Sequence, residues 1–360
     1  MAKLGISVFI LSVIFTVSCS AQQTEEQALK SLRDLTSNGK LPPENVVADI
    51  ENRFAGRKTG TLAKLLRARI KFENQDFAGA AAILNSDVFR NKTHLADHAL
   101  WLRGKALQLA GDHGPAMEVL ATMLRDFPES IRVRDAKLMW STSLIAAGRA
   151  VDVPPFLVQM SEKNDADALL LTAKAYEAQG SQGDALGYYR RTYFFAAGSA
   201  AAKEAEAKLT SLGQPLTSQT GEEQLARADR LLSQKNFKDA ASAYSELSLK
   251  FPSSLKGSVR LSFLTASANA GFLQSRGDLF DAIDGEFKEQ AYRELVLGYA
   301  KTKMWAQARS TADEMRQRFP NGKLVVKTLM DVGLAARDAK NRTDEGYFLN
   351  TADTNNPNAI

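Results

Sequence analysis

The chain has 360 residues, 44% hydrophobic and 24% charged, the proportions of a soluble globular protein. Its 46 basic and 41 acidic residues leave a formal charge of +5, too small a surplus to imply a nucleic-acid partner. A single cysteine, Cys19, excludes a disulfide framework.

Residues 1–21 read as a targeting segment. Lys3 precedes an apolar run from Leu4 to Val17, too short for a comfortable membrane span and right for a signal core. Phe15-Thr16-Val17-Ser18-Cys19 follows and resembles a bacterial lipobox, with a small residue before the cysteine. That resemblance implies acylation of Cys19 and a lipoprotein held at the outer membrane, facing the periplasm. Thr16 stands where the motif usually has leucine, and cleavage after Ala21 is the competing reading. With Cys19 lipidated or removed, no thiol is left for catalysis.

A polar leader, Gln22 to Glu26, gives way to short helices expected over 28–54, with Leu41-Pro42-Pro43 as a start signal. Arg57, Lys58, Lys64, Arg67, Arg69 and Lys71 then cluster, which reads as a solvated helix face. The first hairpin is expected from Leu62 to Leu84, around Phe77 and Ala80. In the next, Trp101, Gly104, Leu107, Gly111-Asp112, Ala116, Leu120, Met123 and Pro128 alternate large, small, turn and breaker residues. A weaker copy carries Trp140, Leu144 and Gly148, with Pro154-Pro155 opening its second helix. Ala173, Tyr176, Gly180, Ala185, Tyr188 or Tyr189, and Ala197 make another. The polar stretch 214–220 reads as a linker between two arrays, 22–213 and 221–360. Beyond it come Ala228, Leu231, Ala240, Tyr244, Leu247 and Pro252, then an irregular copy over 255–284. Val296, Tyr299, Ala308, Met315 and Pro320 restore the order, and a last copy begins near Leu324. Asn356-Pro357 occupies a repeat-ending position, so the second array is expected to be truncated and its end to fray.

The spacing explains these copies. Phe127-Pro128, Phe251-Pro252 and Phe319-Pro320 each follow an alanine that lies twelve residues before the proline: Ala116, Ala240 and Ala308. Pro252 and Pro320 are 320 − 252 = 68 residues apart, twice the tetratricopeptide period of about 34. A small residue early in the second helix lets the first helix approach, and the proline ends the hairpin. Apolar residues recur at three and four, and alternation of period two is absent. The expected fold is all-α, a tetratricopeptide-like α-solenoid of antiparallel helix hairpins. Repeat packing is assigned to Gly104, Ala116, Pro128, Tyr176, Ala185, Ala240, Pro252, Tyr299, Ala308 and Pro320.

Catalytic signals are weak. His94 and His98, four apart, would share a helix face as zinc ligands do, but they lack the metalloprotease glutamate. Capping by Thr93 and surface packing are the simpler reading. No phosphate-cradling glycine loop or nucleophile elbow occurs. Trp101, Trp140 and Trp305 fall where first helices need large core residues. Some tetratricopeptide domains clamp a peptide carboxylate with lysine and asparagine. The asparagine positions here hold Lys105, Lys174, Asp229 and Leu297, so that clamp is not expected.

Residues 168–212 include ALLLTAKAYEAQGSQGDALGYYRRTYFFAAGSAAAKEAEAKL, which resembles the helical solenoid of bacterial soluble lytic transglycosylases. In repeat style the likeness extends over 60–320. The glutamate-serine helix and GLMQ-like segment of that family's catalytic domain are missing, and Glu129-Ser130 falls in a repeat turn. The resemblance implies a solenoid in the peptidoglycan zone and carries over no catalytic residue. The expected function is a non-catalytic, periplasm-facing scaffold without cofactor or metal, binding a protein or peptidoglycan-associated partner in an inner groove. The alternative is the N-terminal solenoid of a lytic murein transglycosylase without its catalytic domain.

Overall fold

The computed structural model describes residues 24–37, 39–273 and 277–355; residues 1–21 with Cys19, and Asn356-Pro357, lie outside them. The chain divides into two compact units, Met1–Trp140 and Ser141–Ile360.

In the first unit, α1 (Glu25–Thr36) starts inside the stretch read as a polar leader. The reason is a capping box: Gln27 N–H donates to Thr24 Oγ1 at 3.3 Å, and Thr24 N–H donates to Gln27 Oε1 at 2.9 Å. Next comes α2 (Glu44–Arg53), entered through Pro43. The hairpin of α3 (Lys58–Glu73) and α4 (Phe77–Leu84) follows, then a short helix, α5 (Val88–Lys92). The second hairpin is α6 (Ala96–Leu109) with α7 (His113–Asp126). The boundary between units falls inside α8 (Val133–Ala146).

The second unit continues with α9 (Val153–Glu162), which holds Pro154 and Pro155 in its first turn, where an unpaired N–H is no loss. The pair α10 (Ala166–Ala178) and α11 (Gln182–Phe195) is joined by a third helix, α12 (Ala200–Ser211). Then come α13 (Gly221–Ser233) with α14 (Phe237–Lys250), α15 (Gly257–Ala270), and the five-residue α16 (Gly277–Asp281). The array closes with α17 (Lys288–Lys301) and α18 (Trp305–Arg318), then α19 (Val325–Asp338) and α20 (Arg342–Asn355). Among the described residues there is no strand. The chain is an all-α solenoid of tetratricopeptide-like hairpins. Trp305 opens α18, the second helix of its hairpin, and not a first helix as its spacing suggested.

Small residues set the helix contacts. A Cβ on Gly104 of α6 would lie 2.6 Å from Leu120 Cδ2 of α7. A Cβ on Gly333 of α19 would lie the same 2.6 Å from Leu349 Cδ2 of α20. Both leucines lie sixteen residues after their glycine, 120 − 104 and 349 − 333, so the two hairpins share one contact. Ala116, Ala240 and Ala308 are fully buried on the second helices and Ala185 nearly so. In the last hairpin Glu345 takes that place and accepts from Arg337 and Arg342, at 2.8 Å each. Tyr176 packs its ring 5.4 Å from Tyr188, and Tyr299 lies half-buried between two core clusters.

The Phe-Pro dipeptides behave alike. Phe127, Phe251 and Phe319 end their helices at φ −134°, −134° and −127° with ψ near 60°. The prolines at 128, 252 and 320 disfavour helical geometry in the residue before them. Each phenylalanine N–H still donates back, to Met123, Leu247 and Met315 carbonyls. The turns within hairpins are equally uniform. Gly111 and Gly180 adopt positive φ there, but so do Gln75, Lys235, Lys303 and Lys340.

The irregular copy over 255–284 has only α16 where hairpins such as α6–α7 and α13–α14 have a second helix of 14 residues. Lys288 fills part of the gap. Its Nζ donates to the Phe280 carbonyl at 2.7 Å and sits 3.7 Å from the Phe280 ring centre. The expected linker, 214–220, is non-helical and lies inside the second unit. Arg190 of α11 grips it, donating to the carbonyls of Pro215 at 3.2 Å and Thr217 at 2.7 Å. The same guanidinium forms a two-bond pair with Glu223 of α13, at 2.7 and 2.8 Å.

Candidate protein-binding face

On α6, His98, Trp101 and Lys105 are spaced three and four apart and so share one side of the helix. Trp101 is half-buried, packed against a cluster that includes Leu84 and Phe89 and another that includes Leu120 and Met123. Its outer surface carries cations. The Arg132 guanidinium lies 4.3 Å from the indole centre and Lys105 Nζ 5.3 Å. Lys105 Nζ also lies 5.4 Å from the Phe72 ring of α3. His98 stacks on the indole at 5.6 Å and 21°.

Burial, more than the nearby Arg132, pushes the His98 imidazole below its ordinary value. Besides Arg69, which pairs with Glu73 at 3.8 Å, the positive charge of this face at neutral pH therefore belongs to Lys105 and Arg132. Neither is paired with a carboxylate among the described residues. The Glu129-Ser130 turn positions Arg132: its N–H donates to Ser130 Oγ at 3.2 Å, and Ser130 Oγ donates to Asp97 Oδ2 at 2.6 Å. Between them Ile131 is 93% exposed. Two desolvated donors or acceptors, Trp101 Nε1 and His98 Nδ1, have no hydrogen-bond partner.

The equivalent positions of the second unit are used internally. Lys174 pairs with Glu204 at 2.6 Å. Asp229 accepts the hydroxyl of the fully buried Tyr244. Burial and that bond both push the phenol up from its ordinary value. Leu297 packs on the core formed around Val296 and Leu329.

His94 and His98 do not share a helix face. α6 begins only at Ala96, because Thr93 ends α5, its hydroxyl donating to the Phe89 carbonyl at 2.7 Å and accepting Leu95 N–H at 3.2 Å. Thr93 is thus not the N-cap of α6, and His113 opens α7. Among the described residues no group of three His, Cys, Asp or Glu could hold a metal. Nor is any helix among them long and apolar enough to cross a membrane. Most of the basic cluster on α3 is ion-paired rather than simply solvated. Arg67 meets Glu51 at 2.6 Å, Lys71 meets Asp76 at 3.1 Å, and Lys64 meets Glu51 at 3.8 Å.

A tetratricopeptide repeat model matches residues 98–130, the α6–α7 hairpin. No curated protein matches the sequence. Among solved structures the chain is similar to the APC/C hetero-tetramer Cut9-Hcn1, at 13% identity and TM-score 0.29, over 93% of this chain and 70% of that one. It is also similar to the TPR domain of P58(IPK), at 17% and 0.27, over 93% and 94%. A third is Naa15/Naa10 bound to HypK-THB, at 12% and 0.25, over 92% and 58%. Likeness at this level transfers nothing about function.

Proposed function

We propose that the chain is a non-catalytic scaffold that holds a protein partner on the first-helix face around Trp101. The observation that carries this reading is the pair of cations on one half-exposed indole, Lys105 and Arg132, beside the exposed Ile131. Aromatic and arginine side chains are the residues that most often anchor protein interfaces. A partner presenting acidic residues around an apolar contact complements this face. Repeated hairpins suit such a role, since each adds side chains to one continuous surface.

The setting we propose is the cell envelope, with the chain tethered to the outer membrane through Cys19 and facing the periplasm. It rests on Lys3, the apolar run Leu4–Val17 and the small residue before the cysteine. A fatty-acid analogue should label the wild type and not Cys19→Ala; equal labelling of both, or of neither, removes the anchor. For the face, a photo-crosslinking residue at Ile131 should trap a discrete envelope protein. The same probe at the exposed Leu249 of α14 should not. The same adducts from both positions, or none from either, would remove the Trp101 face.

A further inference from the structure

The opposite side of α6 faces a separate cleft. Ala96, Leu100 and Arg103 follow one another at helical spacing, about half a turn round from His98, Trp101 and Lys105. With α5 and α7 they enclose ≈ 310 Å³. Phe89, Leu100 and Val119 supply apolar wall. Two guanidiniums line it. Arg90 is satisfied, donating to Asp126 Oδ2 at 2.6 Å and covering the Phe127 ring at 5.4 Å. Arg103 is not. Its Nε is sealed from solvent with no hydrogen-bond partner, and no carboxylate pairs with it among the described residues. Burial alone pushes its guanidinium below the ordinary value, with no acid to offset that. Arg103 is partly buried, with its Nε sealed off, and a partly desolvated cation without a counter-charge gains when something supplies one.

We propose that this cleft binds a carboxylate carried beside an aliphatic side chain, with Arg103 as its ion partner. A guanidinium gives the carboxylate paired, directional hydrogen bonds, and the wall of Phe89, Leu100 and Val119 takes the aliphatic group. Glu118 of α7 lines the same cleft but is exposed and unpaired with Arg103. The exposed Asp87 lines it as well, and both carboxylates disfavour a bound anion. This site does not depend on the Trp101 face, which lies on the other side of the helix.

The test uses the full chain and three probes: acetyl-Gly-Ala-Leu as the free acid, its C-terminal amide, and acetyl-Leu-Glu amide. Titration by NMR should show the free acid binding at millimolar or lower concentration and the C-terminal amide at least about tenfold weaker. Binding of acetyl-Leu-Glu amide at comparable strength would assign the site to acidic side chains as well as chain ends. Its failure would confine the site to chain ends. Arg103→Gln should weaken the free acid at least about tenfold, and Arg103→Lys should restore part of the loss. Glu118→Gln should tighten binding. Lys105→Ala should leave it unchanged, whatever that variant does to partner capture. The proposal is overturned if acid and amide bind alike, if neither binds, or if Arg103→Gln binds as wild type does. A Glu118→Gln variant that loses melting temperature without gaining affinity would make Glu118 the internal partner of Arg103, and would overturn it too.

Discussion

The hairpins α6–α7 and α13–α14 are built on one plan, yet they spend the same repeat position differently. In both, an alanine is buried on the second helix, Ala116 or Ala240, and a Phe-Pro pair ends it. The position after the small residue of the first helix holds Lys105 in one and Asp229 in the other. Asp229 is committed inward, to the hydroxyl of a buried tyrosine. Lys105 lies on an indole with no carboxylate. Shared packing fixes the hairpin and leaves single positions free to become either structural or available to a partner.

The largest expected effect attacks the shared plan. Ala116→Leu and Ala240→Leu each overpack a helix contact and should cost about 1–3 kcal/mol, read by chemical denaturation. Unchanged stability in both would mean that the alanines are not where the helices meet. The next variant separates the hairpins. Asp229→Ala removes the carboxylate that accepts from the buried Tyr244 hydroxyl and should cost about 1–3 kcal/mol, whereas Lys105→Ala should stay within about 0.5 kcal/mol. Equal losses would erase the distinction.

A smaller effect concerns the strap before α13. Burial pushes the Glu223 carboxyl up, but hydrogen bonds from Arg190 and from the Gln219 and Thr220 backbone outweigh it and hold it below the ordinary 4.5. A carboxylate held low in the folded state stabilises fully above its unfolded value and loses that contribution as pH falls through the folded one. Proteolysis within 214–220 should therefore accelerate below about pH 4.5, and Glu223→Gln should remove most of that pH dependence. Cleavage that ignores pH would contradict the grip of Arg190. The smallest effect is at the α13–α14 turn, where Lys235 sits at φ 60°. Lys235→Gly should raise stability by at most about 1 kcal/mol, because glycine occupies that region without strain. A loss on thermal melting would show that the lysine is not strained.

Much of this was legible in the sequence, and the gaps have physical causes. The glycine, alanine and Phe-Pro positions could be read because close approach favours small residues and helix arrest favours proline. Turns at Gln75, Lys235, Lys303 and Lys340 were hidden, since a left-handed residue is recognisable mainly when it is glycine. The turn at Lys303 misplaced Trp305 for that reason. Nothing marked the short α5 either, and with it went the start of α6, the true role of Thr93 and the cleft beside Arg103. The cations on Trp101 come from α6 and from the turn before α8, a proximity that only the fold creates.

The most direct test of the central claim is the yield of the Ile131 photo-adduct in a Lys105→Ala, Arg132→Ala double variant whose melting temperature is first shown to match wild type. We expect the adduct to disappear, while Asp229→Ala, though less stable, keeps it. An adduct of undiminished yield in the stable double variant would contradict the claim that the cations on Trp101 hold the partner.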